Sequence, residues 1–171
     1  MAVAEFAIHG LPGAQPIAIT ETVQKHALGT RIRATSATYG ECEFVYMLGV
    51  ASTAIGLAVS YNATTYQTTL LPNTANLACP VAWAASANVA AQYGWYQIAG
   101  LVPALKTAVK ADPATNAQRI YISATTGRVM QTSAAGKCIL GAARANLTTV
   151  TSTTSTVVLL IMRPNAQGPI T

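Results

Sequence analysis

The chain has 171 residues, the size of a single domain, and is long enough to bury a hydrophobic core without disulfides or metals. Ten basic and five acidic side chains make up only 9% of it, against about 25% in an average globular protein. Most enzymes need several titratable groups gathered in a cleft, and this chain has few to gather. Its net charge of +5 comes from scattered bases, which do not form the dense basic patch of a nucleic-acid-binding protein. The composition therefore argues against an enzyme and against a nucleic-acid partner.

With so few charged residues, it must be explained which residues cover the surface of the protein. The sequence contains 33 alanines and 23 threonines, and its apolar fraction is 51%. Small residues and uncharged polar residues could form the solvent-exposed surface of an ordinary β protein. Alternatively, partners could cover part of the surface, because depletion of charge is typical of the core of an interface. We favour the second explanation, which predicts an assembly surface.

Cys42, Cys79 and Cys138 are far apart in the sequence, and none has the Cys or His spacing of a metal site. Their odd number argues against a disulfide framework, so we expect buried, reduced thiols in a protein made in a cytoplasm. The apolar run at 157–162 is far shorter than the ~20 residues that span a bilayer. We therefore expect no cofactor, no metal and no membrane contact.

Residues 1–30 are predicted to form an extended N-terminal arm, because glycine and proline interrupt any regular element. Ile17, Ile19 and Val23 could add one short strand. A segment with so little core of its own commonly packs on something else, so we expect it to lie on a neighbouring subunit. The interrupting residues are Gly10, Pro12, Gly13 and Pro16.

Residues 31–171 are predicted to form an all-β domain of about nine to ten short strands. Turn signals recur every ~8–12 residues, a spacing typical of a β-sandwich or β-barrel, here jelly-roll-like. Residues 101–109 show some helical spacing, which Pro103 weakens, and the chain from Pro164 onward is predicted to be a loop. The strands are expected within 31–34, 41–50, 54–61, 66–71, 80–85, 93–99, 119–123, 128–131, 137–143 and 157–162, the last of them buried.

The densest recognition-like feature is the aromatic sequence YGWYQI at 93–98. On a strand, Tyr93 and Trp95 would share one face and Tyr96 would lie on the other. Core packing is the ordinary role of such rings. With rings on both faces, however, we expect at least one face to meet a partner, since aromatic residues are frequent interface anchors.

Two pairs of charged residues share strand faces by their spacing. Arg31 and Arg33 would lie on one face of a strand, as would Glu41 and Glu43. Two carboxylates on one strand point in parallel rather than across a substrate, so a catalytic or metal-binding pair is not favoured. We expect a solvated strand face with cross-strand ion pairs between the glutamates and the arginines.

Three stretches carry a resemblance to a known group of proteins. They are ETVQKHALGTRIRATS at 21–36, TYGECEFVYMLGVAST at 38–53 and SANVAAQYGWYQIAG at 86–100. Together they resemble the head decoration, or cement, proteins of tailed bacteriophages and related small phage virion proteins. The resemblance covers most of the chain after residue 20.

The resemblance implies a β-barrel or β-sandwich on the outside of a capsid, assembled in the host cytoplasm and without catalytic residues. It implies two partners, the major capsid protein and further copies of the chain in a homodimer or homotrimer. Such proteins stabilise contacts between capsomers. The residues that we expect to make these contacts are Tyr93, Trp95, Tyr96, Arg31 and Arg33.

Two other functions remain open at this point. The chain could belong to the tail, the baseplate or a host-recognition structure of the same virion. It could also be a carbohydrate-binding module that stacks sugars on Trp83, Trp95 or Tyr96.

Overall fold

The computed structural model describes residues 5–87, 89–107, 119–145 and 155–169, and it is all-β, with no helix in those ranges. It confirms the predicted fold class: the described residues contain eleven strands, of which ten lie within 31–171, where about nine to ten were expected, and one lies in the N-terminal segment. They are β1 (Ala7–His9), β2 (Arg31–Ser36), β3 (Gly40–Leu48), β4 (Ala58–Tyr61), β5 (Thr68–Leu70), β6 (Val81–Ala84), β7 (Tyr93–Leu105), β8 (Arg119–Ile122), β9 (Val129–Met130), β10 (Cys138–Arg144) and β11 (Thr156–Ala166).

The strands form one antiparallel sheet that does not close into a barrel. Its main path runs β1-β2-β3-β7-β11-β10-β8-β9. A short branch leaves β7 through β6 and continues to β4 and β5. Because the branch folds over the main path and buries side chains against it, the architecture resembles a β-sandwich.

Strand β7 joins the two halves of the main path. Its first part pairs with β3 up to Ala99, and its second part pairs with β11 from Ala99 to Leu105. Gly100 lies at the change of partner with φ +96°, and a Cβ there would lie 2.7 Å from the carbonyl oxygen of Glu41. Only glycine allows this close approach of two backbones.

Buried side chains form three clusters around these strands. The largest lies between the β4–β6 branch and the half of the sheet formed by β7, β11, β10 and β8, and it includes Trp83 and Leu159. A second, which includes Tyr96, lies between the branch and β3. The third lies on the opposite face of β2, β3 and β7 and includes Phe44 and Trp95.

Strand β3 is buried on both faces. Phe44 and Tyr46 belong to one cluster, and Val45 and Met47 belong to another on the opposite face. This explains why its sequence becomes continuously apolar instead of alternating, as in strands that are covered on both sides.

The N-terminal segment, residues 5–30, provides the cover on one of these faces. The structure packs this segment on the chain's own sheet, which corrects the expectation of an extended arm that lies on a neighbouring subunit. Strand β1 pairs with β2, and Ile17 is buried in the same cluster as Trp95. Ile19 and Val23, which were expected to share a strand with Ile17, lie outside the strands and are exposed.

Two further expectations differ from the structure. Residues 101–105 continue β7 instead of starting a helix, and Pro103 is accommodated because β11 is the one described strand that pairs with this part of β7. The chain does not become a loop at Pro164, because β11 continues to Ala166 and pairs with β10.

Candidate interaction surface

An aromatic cluster lies beneath the N-terminal segment. The ring of Tyr46 lies 4.9 Å from that of Trp95 and stacks at 6.2 Å on Tyr93. From the N-terminal segment, His26 packs at 5.1 Å on Tyr46 and at 5.5 Å on Trp95. These contacts attach the N-terminal segment to the centre of the sheet through ring packing.

Gln15 connects the N-terminal segment to this cluster by hydrogen bonds. Its side chain is buried, donates to the carbonyl oxygens of Ile19 at 2.7 Å and Tyr93 at 3.0 Å, and accepts from the Tyr46 hydroxyl at 2.8 Å. Its backbone carbonyl accepts from Trp95 Nε1 at 2.7 Å, and its backbone N–H donates to His26 Nε2 at 3.1 Å. The buried amide is thus fully used, as the burial of a polar group requires.

The predicted contact role therefore needs correction for two of the aromatic residues. Trp95 and Tyr96 are both 0% exposed, so neither ring presents a surface to a partner. Tyr93 is partly exposed at the start of β7. Trp83 is also fully buried. All three rings that were proposed to stack on sugars therefore lie in the core, where a sugar cannot reach them.

Arg31 and Arg33 are exposed on β2, as the sequence indicates. Their strand pairs with β3 in a register that places Arg33 opposite Glu43, and the guanidinium of Arg33 lies 3.5 Å from the carboxylate of Glu41. One of the expected cross-strand ion pairs is therefore present. Both partners are largely exposed, so the pair contributes little to the stability of the fold.

Glu43 has a partner that the sequence did not suggest. Arg163 on β11 holds its carboxylate through both oxygens, with the shortest contact 3.0 Å long. Only 17% of the Glu43 side chain is exposed, which makes this the better protected ion pair. The two residues are 120 positions apart, so no local pattern could have revealed the contact.

Arg31, Arg33, Glu41 and Glu43 line two adjoining hollows beside β2 and β3, which we call the charged groove. One hollow has a volume of about 350 Å³ and the other about 300 Å³. The groove contains cations and carboxylates side by side, so it suits a partner surface with both signs of charge. Its lining comprises His9, Gly10, Arg31, Ile32, Arg33, Glu41, Cys42, Glu43 and Ala99.

The cysteines are free thiols, with Cys42 and Cys138 buried and Cys79 partly buried. Burial raises the pKa of each of the three thiols, so the neutral form is favoured at physiological pH. In the described part of the chain, no three His, Cys, Asp or Glu side chains are grouped as ligands for a metal ion.

An exposed apolar face lies on β10 and β11, and sequence reasoning missed it. Leu140, Leu160 and Met162 are 54%, 48% and 73% exposed, on the side of the sheet opposite the largest core cluster. The run at 157–162 was predicted to be buried, but Leu159 and Ile161 face inward while Leu160 and Met162 face outward. The period of two in a strand could have indicated this alternation.

No protein-family model, no curated protein and no solved structure matches the chain. The described residues contain no helix long and apolar enough to cross a membrane. Functional proposals for the chain therefore rest on its own residues and surfaces.

Proposed function

We propose that this chain is a structural virion protein that binds the outside of a phage capsid as a homo-oligomer and stabilises contacts between capsomers. The exposed apolar face carries the proposal. Neighbouring antiparallel strands present Leu140, Leu160 and Met162 to solvent, and large exposed apolar patches commonly mark surfaces that a partner covers.

The composition of the chain supports an assembly role for this face. The ten basic and five acidic side chains include few that could keep such a face solvated. On β7, Leu101 pairs with Leu160 and is itself partly exposed, so the apolar face extends across a third strand. Burying such a face contributes roughly 25 cal/mol for each Å² of apolar surface removed from water.

The charged groove supports a second contact of a different kind. Arg31 and Arg33 are exposed beside Glu41 and Glu43, and mixed charges of this sort set orientation and exclude wrong partners. In this proposal, the apolar face supplies the affinity between subunits, and the groove sets the register on the major capsid protein. Many copies on one lattice would bind with high avidity even if each contact is modest.

The test uses capsid shells that lack this protein, mixed with the purified chain and sedimented together. Leu160→Lys and Met162→Lys place a charge on the apolar face, and Val23→Lys is the matched control, because Val23 is 66% exposed on the N-terminal segment. We expect the two face variants to lose at least about tenfold in capsid binding, because an unpaired charge buried between subunits weakens the oligomer on whose avidity that binding depends. Binding of both face variants at the level of Val23→Lys would overturn the proposal.

A tail, baseplate or host-recognition role in the same virion is the alternative. The apolar face would serve there as well, so the number of copies decides between the two. Hundreds of copies located on the head by particle imaging support the capsid role, whereas a few to dozens at the tail support the alternative.

A further inference from the structure

Arg144 lies at the end of β10 with its side chain in the interior of the protein. It pairs across the sheet with Leu159, and it follows Ala142 on the same face of its strand. Both of those residues belong to the largest core cluster. Only 3% of Arg144 is exposed, so its charge is removed from water.

The guanidinium of Arg144 has no hydrogen-bond partner among the described residues. Nε, Nη1 and Nη2 are each buried, and none of them makes a hydrogen bond. A guanidinium carries five N–H donors and cannot lose its proton in a protein. A buried charge without a compensating partner is strongly unfavourable, and a bound anion would offset this cost.

The described carboxylates do not meet this demand. Glu21 pairs with Lys25, Glu41 with Arg33 and Glu43 with Arg163. The fourth described carboxylate, Glu5, is exposed on the N-terminal segment. Beyond residue 43 the whole sequence contains one acid, Asp112, which lies outside the described residues. The same stretch contains seven bases: Lys106, Lys110, Arg119, Arg128, Lys137, Arg144 and Arg163.

Other basic groups surround the same end of the core. Lys106 follows the end of β7, is 1% exposed, and its backbone N–H donates to the carbonyl of Ser155 just before β11. Arg128 donates from Nη1 to the carbonyl oxygen of Lys106 at 3.1 Å. Burial lowers the pKa of Lys106, whereas the guanidinium of Arg144 stays charged at any pH at which the protein is folded. The resulting positive potential would attract an anion to this end of the core.

We propose that Arg144 binds an oxyanion supplied from outside the chain, a phosphate or a carboxylate group. The fork of two parallel N–H donors on a guanidinium matches the two oxygens of such a group. The proposal is independent of the proposed function, since it concerns the opposite side of β10 from the exposed apolar face.

The test is thermal and denaturant unfolding of the full chain in phosphate and in chloride at equal ionic strength. At about ten times the dissociation constant of phosphate, the unfolding equilibrium constant of the wild type should fall about tenfold. Arg144→Met should lose this response and be more stable than the wild type in chloride, because an apolar side chain there needs no partner. Arg144→Lys should respond weakly, since it keeps the charge without the fork.

Arg119→Met is the matched control, because Arg119 is exposed on β8 opposite Ala143 and should not affect the phosphate response. An acetate series identifies the source: a response to phosphate alone assigns a phosphate group, and equal responses assign oxyanions in general, including a partner's carboxylate. A wild-type response that follows ionic strength alone overturns the proposal, as does a full response in Arg144→Met. A phosphate response that appears only in Asp112→Asn also overturns it, because the anion would then be internal.

Discussion

The hydroxyl of Tyr46 on β3 donates a 2.8 Å hydrogen bond to the buried side-chain oxygen of Gln15 in the N-terminal segment. One residue of a glycine- and proline-rich segment therefore completes the polar contacts of a buried aromatic cluster. The segment is part of the chain's own core, and this relationship makes its contribution measurable.

Gln15→Ala should lower the free energy of unfolding by about 1–3 kcal/mol, because the Tyr46 hydroxyl loses its acceptor and the carbonyls of Ile19 and Tyr93 lose the donors of the Gln15 amide. The Tyr46 oxygen still accepts from the backbone N–H of Lys25, and the Tyr93 carbonyl still accepts from that of Glu21. Gln24→Ala is the matched control, since Gln24 is exposed and bonds only to the nearby carbonyl of His26. Chemical denaturation of the two variants measures the difference. Equal losses in both variants would show that Gln15 does not anchor the segment.

Removal of residues 1–16 should expose Trp95, which loses the acceptor of its Nε1 hydrogen bond and the cover over its ring. The measurement is tryptophan fluorescence in a Trp83→Phe background, so that Trp95 is the single reporter. The background loses no hydrogen bond, because Trp83 Nε1 has no partner, but it leaves a cavity in the largest core cluster. Full-length Trp83→Phe is therefore the reference. We expect a red shift and faster quenching by a neutral quencher, relative to full-length Trp83→Phe.

An unshifted emission in the truncated chain would contradict this placement of the N-terminal segment. It would instead favour the original expectation of an arm that lies on a neighbouring subunit and contributes little to its own domain.

Much of the fold was predictable from the sequence because the signals are local. The strands predicted within 31–34, 119–123 and 128–131 lie where the structure has β2 and the β8–β9 hairpin. The cover on Trp95 was not predictable, since it depends on Gln15, 80 positions away, and a single polar residue among turn formers indicates a loop. Arg163 and Glu43, likewise distant, meet only because β7 brings β11 beside β3.

Exposure of the candidate residues was predictable only where charge decides it. Arg31 and Arg33 are exposed because a guanidinium seldom leaves water, but aromatic rings occur both in cores and at interfaces. The burial of Trp95 and Tyr96 on opposite faces of β7 required a second layer on each side. Nothing in the sequence YGWYQI itself distinguishes two covered faces from one.

Gly100→Ala should be strongly destabilising, by about 3 kcal/mol or more, because a positive φ and a clash with the carbonyl of Glu41 coincide there. Gly40→Ala is the matched control: its φ is +67° and a Cβ there would meet nothing within 4 Å. The control should therefore lose only about 1–2 kcal/mol. Thermal unfolding of the two variants separates backbone strain from close contact, and equal losses would mean that the approach of β3 to β7 is not tight.

Cys42 should make the stability of the protein fall in alkaline solution. Burial raises its pKa, and hydrogen bonding to the Leu101 carbonyl and to Gln97 offsets only part of that effect. Above the ordinary value of 9.0 the unfolded chain releases this proton while the folded chain keeps it. The contribution of the thiol is thus complete below that pH and is lost as the pH rises through the folded-state pKa.

The measurement compares the free energy of unfolding of the wild type and of Cys42→Ala under reducing conditions, from about pH 6 to about pH 10. The difference between the two should be constant up to about pH 8, where the thiol is protonated in both states. At higher pH the wild type should lose stability more steeply than the variant, whose other titrating groups, including Lys106, are unchanged and cancel in the comparison. Parallel curves throughout the alkaline range would show that Cys42 ionises in the folded protein as readily as in the unfolded chain, which is incompatible with its position over Gly100 in the core.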